Sequence, residues 1–381
     1  MSKWEMVKLG SINCYQSKSV DPMKKPDCMF ELYSVPSFDN DYPEIVTGAE
    51  IGSTKQAVQK DDVLLCKINP RINRVWYVKR HTEHPLIASS EWIVIRNNNI
   101  SSKYLVWCLR SKPFRNLLTA NVTGIGGSLI RVQPKQVKEY PIPLPPLETQ
   151  MQIAKTLDTT AELLALRKKQ LAELDNLIKS TFYDMFGDPV TNEKGWKIRK
   201  LSEIGNINRG ISKHRPRNDP ALLGGAHPLI QTGDVANADF IIREYKQTYS
   251  DLGLKQSKKW LAGTLCITIA ANIAKTAIMG FDACFPDSVV GFTANEQTNN
   301  IFIFSWFGFF QKIIEAQAPE SAQKNINLRI LNDLDVIVPP IKLQSQFAQI
   351  VTKIEEQKVL VKNAISETQY LFDSLMSQYF D

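Results

Sequence analysis

The sequence predicts an α+β protein: two mixed α/β globular domains separated by two long helices that pair as an antiparallel coiled coil, with a pseudo-two-fold internal repeat. Three observations carry this expectation. A proline-led motif occurs twice, 194 positions apart; an apolar stripe of seven-residue period follows each copy; and the excess of positive charge is confined to the globular segments that precede the stripes.

The repeat is clearest at Pro145-Pro146-Leu147-Glu148-Thr149-Gln150 and Pro339-Pro340-Ile341-Lys342-Leu343-Gln344. Without a gap, the same offset aligns Gln152 with Gln346, Ala154 with Ala348, Leu157 with Val351, Leu171 with Ile365, Leu177 with Leu371, Ser180 with Ser374 and Phe186 with Phe380. A solenoid would repeat every ~20 to 50 residues, so this is a duplicated two-part molecule. It divides into globular residues 1–146, a helical spacer 147–190, globular residues 191–338 and a second helical spacer 339–381. Upstream of the helices the match weakens. Trp4, Lys8, Leu9 and Ile12 align with Trp196, Lys200, Leu201 and Ile204, Thr47-Gly48-Ala49-Glu50-Ile51 with Thr232-Gly233-Asp234-Val235, and Leu65-Cys66 with Leu265-Cys266. Loops of unequal length between matched elements account for the drifting offset.

In the first helical segment Leu157, Leu164, Leu171, Ile178 and Met185 recur every seven residues, with Ile153 and Leu174 on the adjacent row. Phe347, Ile354, Val361 and Leu375 carry the second stripe, beside Val351, Ile365, Phe372 and Tyr379. Sustained heptads form a coiled-coil seam. Forty helical residues extend ~60 Å, far more than one compact domain needs, so pairing the two copies buries both stripes. An antiparallel pair would carry the domains at opposite ends of a rod. A proline pair precedes each helix, Gly187-Asp188-Pro189 closes the first, and no proline interrupts either stripe. Arg167-Lys168-Lys169 breaks the first stripe midway, as a solvated gap or a docking point.

Within the globular parts, Val63 to Ile68, Leu265 to Ile269 and the alternating Glu91 to Arg96 read as strands. Tyr104 to Leu118 and Trp306 to Ala318 read as amphipathic helices. Lys plus Arg exceeds Asp plus Glu in residues 1–146 (20 against 13) and in 191–338 (17 against 14), whereas the helical segments are slightly acidic (5 against 7 and 4 against 5). Two segments read as exposed and basic. Lys67, Arg71, Arg74, Lys79 and Arg80 surround Trp76 and Tyr77, while Arg209, Lys213, His214, Arg215 and Arg217 lie in a Gly- and Pro-punctuated loop. Arg131, Lys135 and Lys138, in Ser128 to Lys138, precede the first proline pair and correspond in position to Gln323 to Arg329. Lysine and arginine neutralise phosphates, and arginine also forks onto guanine O6 and N7. An ordinary solvated surface is the competing reading of each cluster, and placement in duplicated domains favours nucleic acid.

Several function classes are not supported. Six scattered cysteines without a Cys-x-x-Cys pair, and no secretory leader before Trp4, predict a reduced, cytoplasmic protein. The longest apolar stretch, Ile301 to Phe310, is too short to span a bilayer and contains Ser305 and Gly308. There is no Gly-x-x-x-x-Gly-Lys-Ser/Thr and no His-Glu-x-x-His; His81 and His84 lack a second pair of ligands, so no metal is expected. The nearest approach to a methyltransferase Asn-Pro-Pro-aromatic run is Asn69-Pro70-Arg71-Ile72, and Pro286-Asp287 is followed by Glu296-Gln297-Thr298 rather than a nuclease acid-x-Lys. The chain reads as a binding or scaffolding protein, not an enzyme.

Taken together, the chain resembles the specificity subunits of type I restriction-modification systems along essentially its whole length. The most specific carriers are Ile142-Pro143-Leu144-Pro145-Pro146-Leu147-Glu148-Thr149-Gln150 and Val336-Ile337-Val338-Pro339-Pro340-Ile341-Lys342-Leu343-Gln344, followed by Pro228 to Val235, which includes Thr232, and Gly263-Thr264-Leu265 to Ala277-Ile278. The first domain departs from the pattern, with Asp62 where the second has Gly263. The resemblance implies two target-recognition domains, each reading half of a bipartite, asymmetric site in double-stranded DNA. It implies helices that set the unread spacer and dock two methyltransferase (modification) subunits. S-adenosylmethionine, ATP and magnesium are then expected on partner subunits, including restriction subunits where the system has them, and no cofactor on this chain. The alternative is a non-catalytic protein-binding scaffold or a regulatory relative of the same family.

Overall fold

The structure is a computed structural model and describes residues 4–120, 130–270, 274–317 and 326–381. It forms two compact units, Met1–Arg167 with Ala364–Asp381, and Lys168–Asn363. Two helices of 40 residues each, Leu147–Phe186 and Ile341–Phe380, contribute to both.

The amino-terminal unit is built on two larger sheets, beside a two-stranded pair of Met6–Lys8 with Pro141–Pro143. An antiparallel three-stranded sheet has the order Val75–Tyr77, Val63–Cys66, Trp92–Ile95. A five-stranded sheet runs Ser19–Val20, Lys55–Ala57, Leu86–Ala88, Met29–Tyr33, Glu44–Thr47, with Met29–Tyr33 parallel to Leu86–Ala88. Strand alternation explains how one strand serves two cores. Val63 and Leu65 pack against Tyr104, Leu105 and Leu109, whereas Leu64 and Cys66 pack against Tyr33, Trp76 and Trp92. Residues Tyr104 to Leu118 form two helices rather than one, Ser102–Arg110 and Lys112–Ala120, because Ser111 turns extended between them. Pro113 suits the first turn of the second helix, where a missing N–H costs nothing.

The second unit repeats this plan. Leu265–Thr268 lies between Thr276–Met279 and Val289–Ala294, and Leu223–Leu229 lies between Gln247–Tyr249 and Ala283–Cys284. Leu265 and Ile267 face one core while Cys266 faces the other. The apolar run from Ile301 becomes a buried helix, Asn300–Phe307, and a second helix, Phe310–Gln317, follows the break at Gly308.

The two sheets correct two of the sequence matches. Val63–Cys66 corresponds to Leu265–Thr268, since each is the centre of the same antiparallel triplet, so Leu65-Cys66 matches Ile267-Thr268. Asp61, rather than Asp62, then stands where the second unit has Gly263, and both adopt the left-handed conformation, with φ of 71° and 85°. Thr47 to Ile51 follows a strand whose counterpart is Gln247–Tyr249, whereas Thr232 opens a helix after the counterpart of Met29–Tyr33. The resemblance of these two stretches is one of capping chemistry. Glu50 accepts from the Thr47 N–H and Asp234 from the Gln231 N–H, the device that satisfies free N–H groups at any short helical turn.

Within each unit the long helices are antiparallel. In the first, Leu157 shares a core with Phe372 and Leu375, while Arg167, further along, reaches back to Ala364 and Thr368. In the second, Asp175 meets Lys358 at 2.7 Å and Phe186 packs edge-on against Phe347, with centroids 5.2 Å apart. Leu157 and Phe347 are fully buried, Ile354 and Val361 nearly so, and Leu164, Leu171, Ile178 and Leu375 are half-buried. Lys168 and Lys169 are exposed, but Arg167 is not a solvated gap: its guanidinium crosses the seam and donates to the Ala364 carbonyl and the Thr368 hydroxyl. Lys358, also in the seam, sits between Asp175 and Glu355, at 2.7 and 2.8 Å. Burial pushes the Glu355 carboxyl above its ordinary range, opposed by the Lys358 bond.

The proline-led motif enters each helix through its glutamine. The Gln150 amide donates to the Pro145 carbonyl and accepts from the backbone N–H of Ser101, the cap of the Ser102–Arg110 helix. Gln344 does the same with Pro339 and Asn299, the cap of the Asn300–Phe307 helix, and adds the Gln297 carbonyl and the Thr298 hydroxyl. The glutamines are 2% and 0% exposed, so a buried amide locks each long helix to its domain. A buried group left unpaired costs about 1 to 3 kcal/mol. Gln344→Leu, which strands more partners, is expected to lower stability in urea titrations by about 2 to 3 kcal/mol, and Gln150→Leu by less. No loss in either variant would show that the prolines alone hold the entry, and equal losses that the extra partners of Gln344 contribute nothing.

Candidate nucleic-acid interface

In the amino-terminal unit the strand Val75–Tyr77 separates the five cations grouped by sequence. Lys67, Arg71 and Arg74 lie in the connection before it, and Lys79 and Arg80 in the loop after it. Trp76 is not an exposed aromatic between them. It is 2% exposed, packs edge-on to Tyr33 at 4.7 Å and donates from its indole to Asp41. Tyr77 is half-buried, and burial together with its hydrogen bond to Asp61 pushes its phenol up, so it stays a donor.

Local acids take up part of the charge. Asp39 lies 3.8 Å from Arg74, Asp41 3.2 Å from Lys79 and Glu83 3.7 Å from Arg80. Arg71 is fully presented, on a short 3-10 turn, Pro70–Ile72, held between left-handed Asn69 and Asn73. The Asn73 side chain anchors this turn by donating to the Leu109 carbonyl. Lys67 and Arg131 come together across the chain: the Val132 N–H donates to the Lys67 carbonyl, the Lys67 N–H to Glu91, and Arg131 pairs with the Glu91 carboxylate at 3.0 Å. Lys135 is exposed on the turn Pro134–Val137. Residues 128–129 of the Ser128 to Lys138 stretch and 323–325 of its counterpart lie outside the described residues.

The loop bearing Lys79 and Arg80 is shaped by a residue that sequence reasoning missed. Glu31, 0% exposed, accepts from the backbone N–H groups of His81 and Thr82 and from the Thr82 hydroxyl. A buried carboxylate needs such donors because it is far from water. The available signal was a single acid inside the apolar strand Met29–Tyr33.

In the second unit, Gln256 plays a similar part. Its side-chain oxygen accepts from the N–H groups of Lys213 (2.7 Å) and His214 (3.0 Å), and Ser257 donates to the Ile211 carbonyl. Arg215 is largely used inside the loop: it donates to the carbonyls of Ser212 and His214 and shares Asp287 with Arg217. His214 pairs with Asp219 at 2.9 Å. The Ala221 N–H, and then His214, hold the Asp219 carboxyl below its ordinary range. Arg209 and Lys213 remain exposed and without an ion pair among the described residues. Thr232 is half-buried at the start of the helix Thr232–Asn237, apart from the basic loop in the sequence and in a different element.

The long helices expose apolar residues in repeat-related pairs. Leu147 with Ile341, Leu166 with Leu360, and Leu177 with Leu371 are each 194 positions apart, and all six are 44% or more exposed. No cluster of three metal-ligating side chains occurs among the described residues, and burial pushes the thiols of Cys66, Cys108, Cys266 and Cys284 up, away from thiolate character. No described helix is long and apolar enough to cross a membrane.

Residues 1–176 and again 193–368 match the family described as type I restriction modification DNA specificity domain. A putative type I restriction enzyme specificity subunit, MjaX, of Methanocaldococcus jannaschii is 23% identical over 266 residues, covering 68% of this chain and 62% of that protein. A putative specificity subunit of Haemophilus influenzae is 25% identical over 247 residues, 61% of this chain and 59% of the other. The matched stretch thus spans about three fifths of each relative. The fold is shared with the S subunit of a type I restriction-modification system from M. genitalium, at a TM-score of 0.63 and 14% identity, covering 100% of this chain and 96% of the other. It is also shared with a chain from a study of type I complex assembly, at a TM-score of 0.56 and 20% identity, with 99% and 97% covered. Two copies of the family's domain, filling nearly all of a chain whose two units repeat one topology, make this protein a member of the type I restriction-modification specificity subunit family.

Proposed function

We propose that this chain is the DNA sequence-specificity subunit of a type I restriction-modification complex. Each globular domain reads one half of a bipartite, asymmetric site in double-stranded DNA, the helices set the spacer between halves, and two modification subunits dock on the helices. The observation that carries this is the duplicated topology with unlike basic loops: one sheet plan presents Arg71 and Lys67 in one unit and Arg209 and Lys213 in the other. Two readers of one architecture with different loops suit two different half-sites.

Phosphate contacts hold a domain in register and base-edge contacts specify. Arg71 offers a forked donor, and the loop around Lys213 is pre-shaped by Gln256 and Arg215, so little ordering remains on binding. Linking two modest half-site contacts makes the second effectively intramolecular, an advantage that disappears when the spacing is wrong. Adenine-N6 methylation with S-adenosylmethionine belongs to the modification subunits. Translocation and cleavage with ATP and magnesium belong to restriction subunits. This chain contributes recognition and geometry.

The pairing of exposed residues by the repeat supports two equivalent docking sites. Leu166 and Leu371 lie in the amino-terminal unit, and their repeat mates Leu360 and Leu177 in the second.

Three outcomes test this reading. Arg71→Gln and Lys213→Gln are each expected to weaken DNA binding and reduce its salt slope by about one, read by fluorescence anisotropy across a salt series; unchanged slopes in both would remove these loops from the interface. Adding seven residues after Lys169 together with seven after Asn363 lengthens both helices by ~10 Å, so methylome sequencing should report a spacer longer by about 3 base pairs. An unchanged spacer would sink the ruler. Leu166→Asp or Leu360→Asp alone should leave one modification subunit bound, and the double variant none, by native mass spectrometry; full assembly in the double variant would place docking elsewhere.

A further inference from the structure

The second unit lacks a large side chain that the first unit has at an equivalent place, and a cavity lies there instead. The equivalence follows from the caps of two helices. Ser101 and Asn299 each donate a backbone N–H to the glutamine that opens a long helix. Counting from these caps, Tyr104 corresponds to Phe302 and Trp107 to Ser305. Ring contacts agree with that register. Tyr104 packs on Phe380 and Phe302 on Phe186, and Phe186 and Phe380 are themselves repeat mates.

In the amino-terminal unit the indole of Trp107 fills the space between its helix and the long helices. It meets Phe372 edge-on, with centroids 5.5 Å apart, and donates to the Asp158 carboxylate at 2.8 Å. In the second unit both rings are replaced at once. Ser305 stands for Trp107, and Ile178 for Phe372. These two residues line one cavity of about 540 Å³, within the ~300 to 1,000 Å³ of small-molecule sites. Phe182, Phe304 and Phe309 give it an aromatic wall. Ser305 is 7% exposed, and its hydroxyl has no hydrogen-bond partner among the described residues. Buried hydroxyls are normally paired, so an unpaired one beside a cavity points to a polar group of a ligand. The charges around the cavity balance: Asp175, Asp239 and Glu355 against Lys179, Lys275 and Lys358. Lys358 is already held by Asp175 and Glu355. A neutral ligand therefore suits the site better than an ion, whose charge would have no free counter-charge in the buried part.

We propose that this cavity binds a neutral, planar, bicyclic heteroaromatic molecule of the size of indole, which takes the place that the Trp107 side chain takes in the other copy. The aromatic wall supplies ring contacts, and the Ser305 hydroxyl is the acceptor for the ligand N–H. Bound there, the ligand lies between the domain helix Asn300–Phe307 and the first long helix, and stabilises the second unit by mass action. The site is lined by none of the basic residues of the Lys213 to Arg217 loop, and the proposal does not rest on DNA reading.

Indole itself is the probe, titrated into the purified full chain by isothermal calorimetry with the melting temperature followed in parallel. The wild type should show one site per chain, and at ten times the dissociation constant its melting temperature should rise by about 3 °C. S305W supplies the filling that the first unit already uses, and should abolish binding without lowering the melting temperature. I178F narrows the opposite wall and should weaken binding about ten-fold, which tests the same space should S305W fail to fold. Absence of both heat and shift in the wild type overturns the site, as does wild-type affinity in I178F or in a folded S305W.

Discussion

The structure depends on the burial of the far end of each long helix in the core of a domain it does not begin in. Phe372, Leu375, Tyr379 and Phe380 of the second helix pack with Tyr104, Trp107 and Leu157 in the amino-terminal unit. Phe182 and Phe186 of the first helix pack with Phe302, Phe309 and Phe347 in the second. Phe182 and Phe186 are fully buried, each contributing about 1.5 to 3 kcal/mol, and Phe372, Tyr379 and Phe380 are partly buried against the other core, so each core draws on both helices. That requirement, more than the seam between them, makes the antiparallel arrangement obligatory. It also explains why glutamine locks sit at the helix entries, where a domain's own helix must leave at a fixed angle.

Much of this was legible in the sequence, for definable reasons. A seven-residue period sustained over forty residues is a local signal, and the two helices begin and end close to where the prolines and Gly187 place them. Sheet order was not legible, because the pairing of Met29–Tyr33 with Leu86–Ala88 joins residues far apart in sequence and leaves no periodic trace. Trp76 misled because cations flank it, yet the strand that carries it is buried on both faces, so alternation could not reveal an exposed side. The Thr-Gly-acid match misled because capping chemistry is the same wherever a short turn begins. Among the candidate readers, Arg71 and Lys213 stand clear of local acids, whereas Arg215 and Arg217 are drawn to Asp287, an acid about 70 positions away that no local window contains.

Even in the helices, where the repeat runs without a gap, the seam departs from it at two positions. Arg167 occupies the position equivalent to Val361, and Lys358 the position equivalent to Leu164, so each polar group appears in only one copy of the helix. A polar residue in an apolar seam lowers stability but specifies alignment. Arg167 finds Thr368, and Lys358 finds Asp175, only when one helix of each kind meets the other in this register. The duplication supplies the shape, and the departures from it keep the two copies distinguishable.

The aromatic cluster that completes the amino-terminal core also sets an order of events during synthesis. The partners of Tyr104 and Trp107 are Phe380 and Phe372, and 215 positions separate Leu157 from Phe372. At a translation rate of about 5 to 20 residues per second, the first domain waits roughly 10 to 40 s with its helix-facing surface uncovered. The second domain, whose first-helix contribution at Phe182 and Phe186 precedes it on the chain, has both helices at hand as soon as Phe347 and Val351 emerge. The part of the molecule made first is thus the part finished last.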